Sequence, residues 1–184
     1  APGWAKKVFP DLPEAEAVEK LWALIFDVCR VSTGDPVAAW RDHVAKTKAR
    51  RDQLNAWDLD RVRLQSANGT DLTIGLADDA SWEGASSVAE NGGEFIANVP
   101  TEEVFCAPHR DKVNGIVYGT KPYAYNGQLI EGWHVTFKDG CVIEHGAEKN
   151  DLLLAELLAT DENANRIGEI AFVPASSPIN RSGV

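Results

Sequence analysis

The hydrophobic period changes once along this 184-residue chain, and that change limits the fold more than any other feature. Val18, Leu21, Trp22, Ile25, Val28 and Cys29 recur at the 3.6-residue spacing of an amphipathic helix. Asp11-Leu12-Pro13-Glu14 supplies a start signal, with proline near the first helical position and acid in the first turn. A helix over about 13–31 follows. Thr33-Gly34-Asp35-Pro36 ends it and caps a second helix, which begins around Val37, Trp40 and Val44 and runs to about Ala56. Its basic run, Lys46, Lys48, Arg50 and Arg51, reads as a solvated face; a site for an acidic partner is the minority reading. From about Asp60 the period becomes two, with Val62 and Leu64 alternating with Arg61, Arg63 and Gln65.

After the hairpin signal Asn68-Gly69, Leu72, Ile74 and Leu76 continue the alternation. Residues 77–93, rich in glycine, serine and acid, read as a long loop. Strands are expected near 94–98, 103–107, 113–119, 128–137 and 141–145, with turns at Asn126-Gly127 and Lys138-Asp139-Gly140. A helix near 148–160 precedes a last strand near 168–173. A helical segment over 1–58 and a mostly antiparallel β region over 59–184 predict an α+β fold: helices, then an antiparallel sheet or partial barrel, within a larger catalytic domain.

A net charge of −10 argues against a phosphate backbone as partner, so no nucleic acid is expected. No stretch approaches the roughly 18 apolar residues of a membrane span. The three cysteines, Cys29, Cys106 and Cys141, are odd in number and widely spaced, which suits free thiols in a reducing cytoplasm. The chain opens Ala1-Pro2-Gly3-Trp4, contains no methionine and closes Ser182-Gly183-Val184, which reads as a piece of a longer protein.

Two segments place a carboxylate beside β-forming residues: Pro100-Thr101-Glu102-Glu103-Val104-Phe105-Cys106-Ala107-Pro108, and Gly168-Glu169-Ile170-Ala171-Phe172-Val173. Carboxylates on strands that meet in space suit a hard or borderline divalent cation. Successive strand residues face opposite sides, so Glu102 and Glu103 cannot share one site without a bulge, and composition does not choose between them. A lone glutamate opening a buried strand needs a partner, because burying a charge is costly; a salt bridge to an arginine is the plain explanation. Cys106 and His109 have a C-x-x-H spacing compatible with zinc, but no second pair completes it. A Cys/His nucleophile reading lacks a positioned third group. His43, His109, His134 and His145 read as surface or satisfied core residues.

The chain resembles the M29 family of metallo-aminopeptidases, the aminopeptidase T and S group. There, a Pro-x-x-Glu-Val-Phe-Thr-x-Pro segment and a later Leu-Gly-Glu segment each give one glutamate to a two-metal site. Trp22 to Arg30, Asp35-Pro36 with Trp40, Leu54-Asn55, Gly69-Thr70-Asp71-Leu72 and Gly132 to Gly140 extend the resemblance along nearly the whole chain. Cys106 departs from the pattern, standing where relatives carry threonine.

The resemblance implies that Glu103 binds one metal and that Glu169 bridges two. The residue before the ligand is often glycine in relatives, so Glu102 is expected to face solvent. The remaining ligands, a further glutamate, two histidines and an aspartate with a tyrosine nearby, lie past the end of this chain; the first follows the stretch matching Ser177 to Gly183. The chain thus looks like an internal fragment of a cytoplasmic, homodimeric aminopeptidase that removes N-terminal residues from peptides with a free N-terminus. Its cofactors would be two divalent ions (zinc, cobalt, manganese or magnesium). No catalytic residue beyond the metal ligands is assigned. The rival reading is a non-catalytic α+β module for assembly or binding.

Overall fold

Proline and aspartate set the helix starts in this computed structural model, which describes residues 1–182. Gly183 and Val184, at the end of the stretch expected to precede the next ligand, lie outside the described residues. Helix α1 spans Pro2–Val8, α2 Glu14–Val28 and α3 Pro36–Trp57. Asp35 caps α3 by accepting the Ala38 amide at 2.9 Å, with Pro36 opening the helix. Helix α2 ends sooner than expected. The Val31 amide donates to Phe26 O and the Arg30 amide to Asp27 O, both at 2.9 Å, and Arg30 takes a left-handed φ of 60°. This is a Schellman ending, which closes the last turn by satisfying its free carbonyls.

The chain forms two compact units, each assembled from separated segments. The first comprises residues 1–53, 83–105 and 171–184, and the second comprises 54–82 and 106–170. In the first, Ala5, Ala17 and Leu21 are fully buried between α1 and α2, with Val8, Phe9, Leu12, Val18 and Ile25 around them. Five short strands fall wholly or partly within these segments: β3 (Glu83–Gly84), β4 (Ser87–Val88), β5 (Glu94–Phe95), β6 (Val104–Cys106) and β12 (Ile170–Phe172). Strands β12, β6 and β3 lie side by side in that order, and β4 pairs with β5. Helix α5 (Pro178–Ser182) packs on α2.

The second unit holds a five-stranded sheet ordered β1–β2–β7–β10–β11, all antiparallel. Its strands are β1 (Arg61–Gln65), β2 (Asp71–Leu76), β7 (Pro108–Tyr118), β10 (His134–Lys138) and β11 (Cys141–Gly146). Leu72, Ile74, Val113, Val135 and Phe137 bury one face. Asp139-Gly140, at φ 49° and 79°, makes the two-residue turn between β10 and β11. A separate hairpin, β8 (Tyr123–Tyr125) with β9 (Gln128–Ile130), turns at Asn126-Gly127. Helix α4 (Asp151–Leu158) contacts β9 and β11. Among the described residues no sheet closes into a barrel, and no helix is long and apolar enough to cross a membrane.

The expected strand over 128–137 is two strands, interrupted where Gly132 adopts φ 60°. The long loop expected over 77–93 contains β3 and β4, two-residue strands too short to show a period.

Candidate functional site

Burial alternates strictly from Thr101 to Cys106: Glu102, Val104 and Cys106 point inward, while Thr101, Glu103 and Phe105 are half-buried. Glu102 is only 5% exposed, against 1% for Val104 and 2% for Cys106. The expectation that Glu102 faces solvent is therefore overturned. The alternation that buries Val104 and Cys106 buries Glu102 with them.

A buried carboxylate needs a counter-charge. Arg30 provides it, with Nη1 2.5 Å from Glu102 Oε1. The guanidinium also lies 5.6 Å from the ring centroid of Trp40. The Trp40 indole N–H donates to Cys29 O at 2.8 Å, tying α3 to the end of α2 beside Arg30. His43 is buried at 7% exposure, and its Nε2 lies 2.6 Å from Thr101 O. A carbonyl only accepts, so Nε2 carries the proton in this bond. The same nitrogen is 3.7 Å from Glu102 Oε1. A cavity of about 720 Å³ adjoins this cluster, lined in part by Arg30, His43, Arg50, Glu102 and Arg181.

Glu103 directly precedes β6. Its backbone is crowded by β3, where Gly84 at φ 132° lies opposite Val104. Its carboxylate has no hydrogen bond or ion pair among the described residues. Glu169 directly precedes β12 and is exposed, not buried as its position before an apolar run suggested. It too lacks an ion pair among the described residues, so the arginine bridge considered from sequence is not formed there. The strand after Glu103 and the strand after Glu169 are neighbours in one sheet.

Carboxylate oxygens without protein partners are a suitable donor set for a divalent cation, and in kind both glutamates fit that role. Among the described residues, no three histidine, cysteine, aspartate or glutamate side chains gather as a metal cluster. The histidines have structural partners. His43 holds Thr101, and His109 Nδ1 accepts the Asp111 amide at 3.1 Å. His134 stacks on Tyr118 at 5.3 Å, and His145 Nδ1 is 3.2 Å from Asp151 Oδ1. None of Cys29, Cys106 and Cys141 is joined in a disulfide.

Arg30 and His43 are the members of this cluster that the sequence did not single out. Arg30 and Glu102 are 72 positions apart, and His43 and Thr101 are 58 apart, beyond the reach of any local pattern.

A family model for thermophilic metalloproteases (M29) matches residues 1–184. Aminopeptidase T of Thermus aquaticus is 48% identical over 183 residues, covering all of this chain and 45% of that protein. Aminopeptidase AmpS of Bacillus subtilis is 46% identical over 182 residues, covering 99% of this chain and 44% of that protein. Among solved structures, wild-type AmpT from Thermus thermophilus superposes with a TM-score of 0.91 at 43% identity, over all of this chain and 44% of that one. The chain thus spans less than half the length of these relatives.

Proposed function

Because this chain belongs to the M29 metalloprotease family, we propose that it is the part of a two-metal aminopeptidase that contributes Glu103 and Glu169 as ligands. The observation that carries the reading is the sheet order: β6, entered from Glu103, lies beside β12, entered from Glu169. Two carboxylates distant in sequence are thereby attached to adjacent strands. Neither is neutralised by a protein cation among the described residues.

In this reading the Glu103 carboxylate would hold one divalent ion and the Glu169 carboxylate would be shared by both ions. When bound, such a pair of ions polarises a scissile carbonyl and supplies an activated water. The role of this chain is to hold two negative charges where the ions bind and to keep them from pairing with arginine or lysine. Carboxylates accept zinc, cobalt, manganese and magnesium alike. The substrates are peptides with a free N-terminus. The intact enzyme is a cytoplasmic homodimer that has neither nucleic acid nor membrane as a partner.

The test is made in the full-length protein. Hydrolysis of aminoacyl-p-nitroanilides should vanish with a chelator and return with zinc, cobalt or manganese. Glu103→Gln and Glu169→Gln keep the side-chain shape and remove its charge, and each should lower both bound metal and rate. Wild-type metal content and turnover in both variants would overturn the reading.

A further inference from the structure

We infer that Arg30, His43 and Glu102 form a buried clamp that positions Glu103 for cation binding, with Glu102 acting as a positioning residue and not as a ligand. The inference rests on the reading of Glu103 as a metal ligand.

Glu103 lies in a stretch held on both sides. Before it, His43 donates to the carbonyl of Thr101 at 2.6 Å, and Arg30 grips the Glu102 carboxylate at 2.5 Å. After it, Val104 is buried at 1% and pairs with Gly84 of β3. Three attachments, at Thr101, Glu102 and Val104, thus fix the backbone around Glu103. Its own carboxylate takes no partner among the described residues. A fixed backbone carrying a free carboxylate is what a preorganised ligand requires.

The clamp is itself supported. Arg30 stands in the left-handed region at φ 60°, a conformation that non-glycine residues adopt at a cost and that persists where its surroundings hold it. The Schellman bonds at the end of α2 hold its backbone, and Trp40 covers its guanidinium. A well-packed apolar pair would often stabilise such a site as well as ions do. Retaining a charged pair at 15% and 4% side-chain exposure suits a role in fixing position. Because 102 and 103 face opposite sides, anchoring Glu102 inward also fixes the side on which Glu103 emerges.

The test uses the full-length protein and compares manganese and zinc affinity, by equilibrium dialysis, with the unfolding temperature of the metal-free form. Glu102→Gln keeps the shape and removes the charge. It should weaken metal binding roughly 10–100-fold, the range for residues that orient a ligand without touching the ion. Amide hydrogen exchange at Glu103 and Val104 should quicken in the folded, metal-free variant. His43→Leu, which cannot donate to Thr101 O, should show the same two changes and serves as the second variant if Glu102→Gln does not fold. Folded variants with wild-type metal affinity would overturn the clamp. Glu103→Gln separates the two readings. If it retains wild-type metal, the ligand assignment fails and the clamp fails with it. If it loses metal while Glu102→Gln and His43→Leu do not, only the clamp fails.

Discussion

A Cβ placed on Gly84 would stand 2.6 Å from the carbonyl oxygen of Glu103. The two backbones therefore meet with no room for a side chain, and Gly84 also holds a φ of 132° that L-residues rarely adopt. Gly84→Ala meets both obstacles at once. The backbone strain alone is about 1–3 kcal/mol, and displacement of Glu103 adds to it. Thermal unfolding should show a lower midpoint, and metal content of the full-length protein should fall with it. An unchanged midpoint would contradict the close approach.

Arg30→Ala should be among the most damaging single changes in the first unit. It leaves the Glu102 carboxylate buried without its counter-charge, a loss of about 3–5 kcal/mol for broken buried pairs. Urea denaturation checks this. Arg30→Ala combined with Glu102→Ala should cost less than the sum of the two single changes, because no orphaned charge remains.

In the second unit, Arg63 grips Asp71 through two bonds, Nε to Oδ1 at 2.9 Å and Nη2 to Oδ2 at 2.8 Å. Hydrogen bonding from Arg63 holds the Asp71 carboxyl below the usual carboxylate range, with Gln65 adding a further bond. The folded state therefore binds its proton later than the unfolded state as pH falls. The pair's contribution is present above about pH 3.9, the unfolded value, and is lost as pH falls through the depressed folded value. Asp71→Asn should remove the pair's contribution at neutral pH and flatten this part of the acid limb, so that the two proteins converge in stability at low pH. Equal steepness of the acid limb in both proteins would contradict the assignment.

Leu72 is 2% exposed on the sheet's buried face, while Ile143 is 61% exposed. Leu72→Ala should destabilise by about 2–5 kcal/mol, the range for buried leucine truncations. Ile143→Ala should stay within about 0.5 kcal/mol. Denaturant midpoints distinguish the two.

The 184-residue chain by itself should not turn over aminoacyl-p-nitroanilides, even with zinc, cobalt or manganese added. Two carboxylates do not complete two coordination spheres, and no cluster of three ligand-type side chains forms among the described residues. Metal-dependent turnover by a homogeneous 20.0 kDa chain would contradict this.

Where periodicity ran long, the sequence was a good guide. Helix α2 was expected over 13–31 and spans Glu14–Val28; α3 was expected to about 56 and ends at Trp57. Both carry several turns of pattern and a proline-led start. Helix α1, Pro2–Val8, has only seven residues, too few for a period to emerge. The same holds for α5 and the two-residue strands. At the candidate site, alternation established that Glu102 and Glu103 face opposite ways. It did not say which faces inward, because that depends on Arg30, 72 positions earlier. The family pattern assigned Glu103 as the ligand but mistook Glu102 for a surface residue, since a position often occupied by glycine shows no trace of a buried ion pair.

The interleaving of the two units has a consequence for synthesis and dissection. The first unit draws on residues 1–53, 83–105 and 171–184, so no contiguous excision isolates it. During translation α1, α2 and α3 leave the ribosome long before the unit's last segment, which begins at Ala171, becomes available. The unit must wait, incomplete, while the residues between 106 and 170 are made. Nicking the chain at 53/54 or 105/106 would cut a thread shared by both units, whereas joining 53 to 83 through a short linker would leave the first unit's own sequence intact.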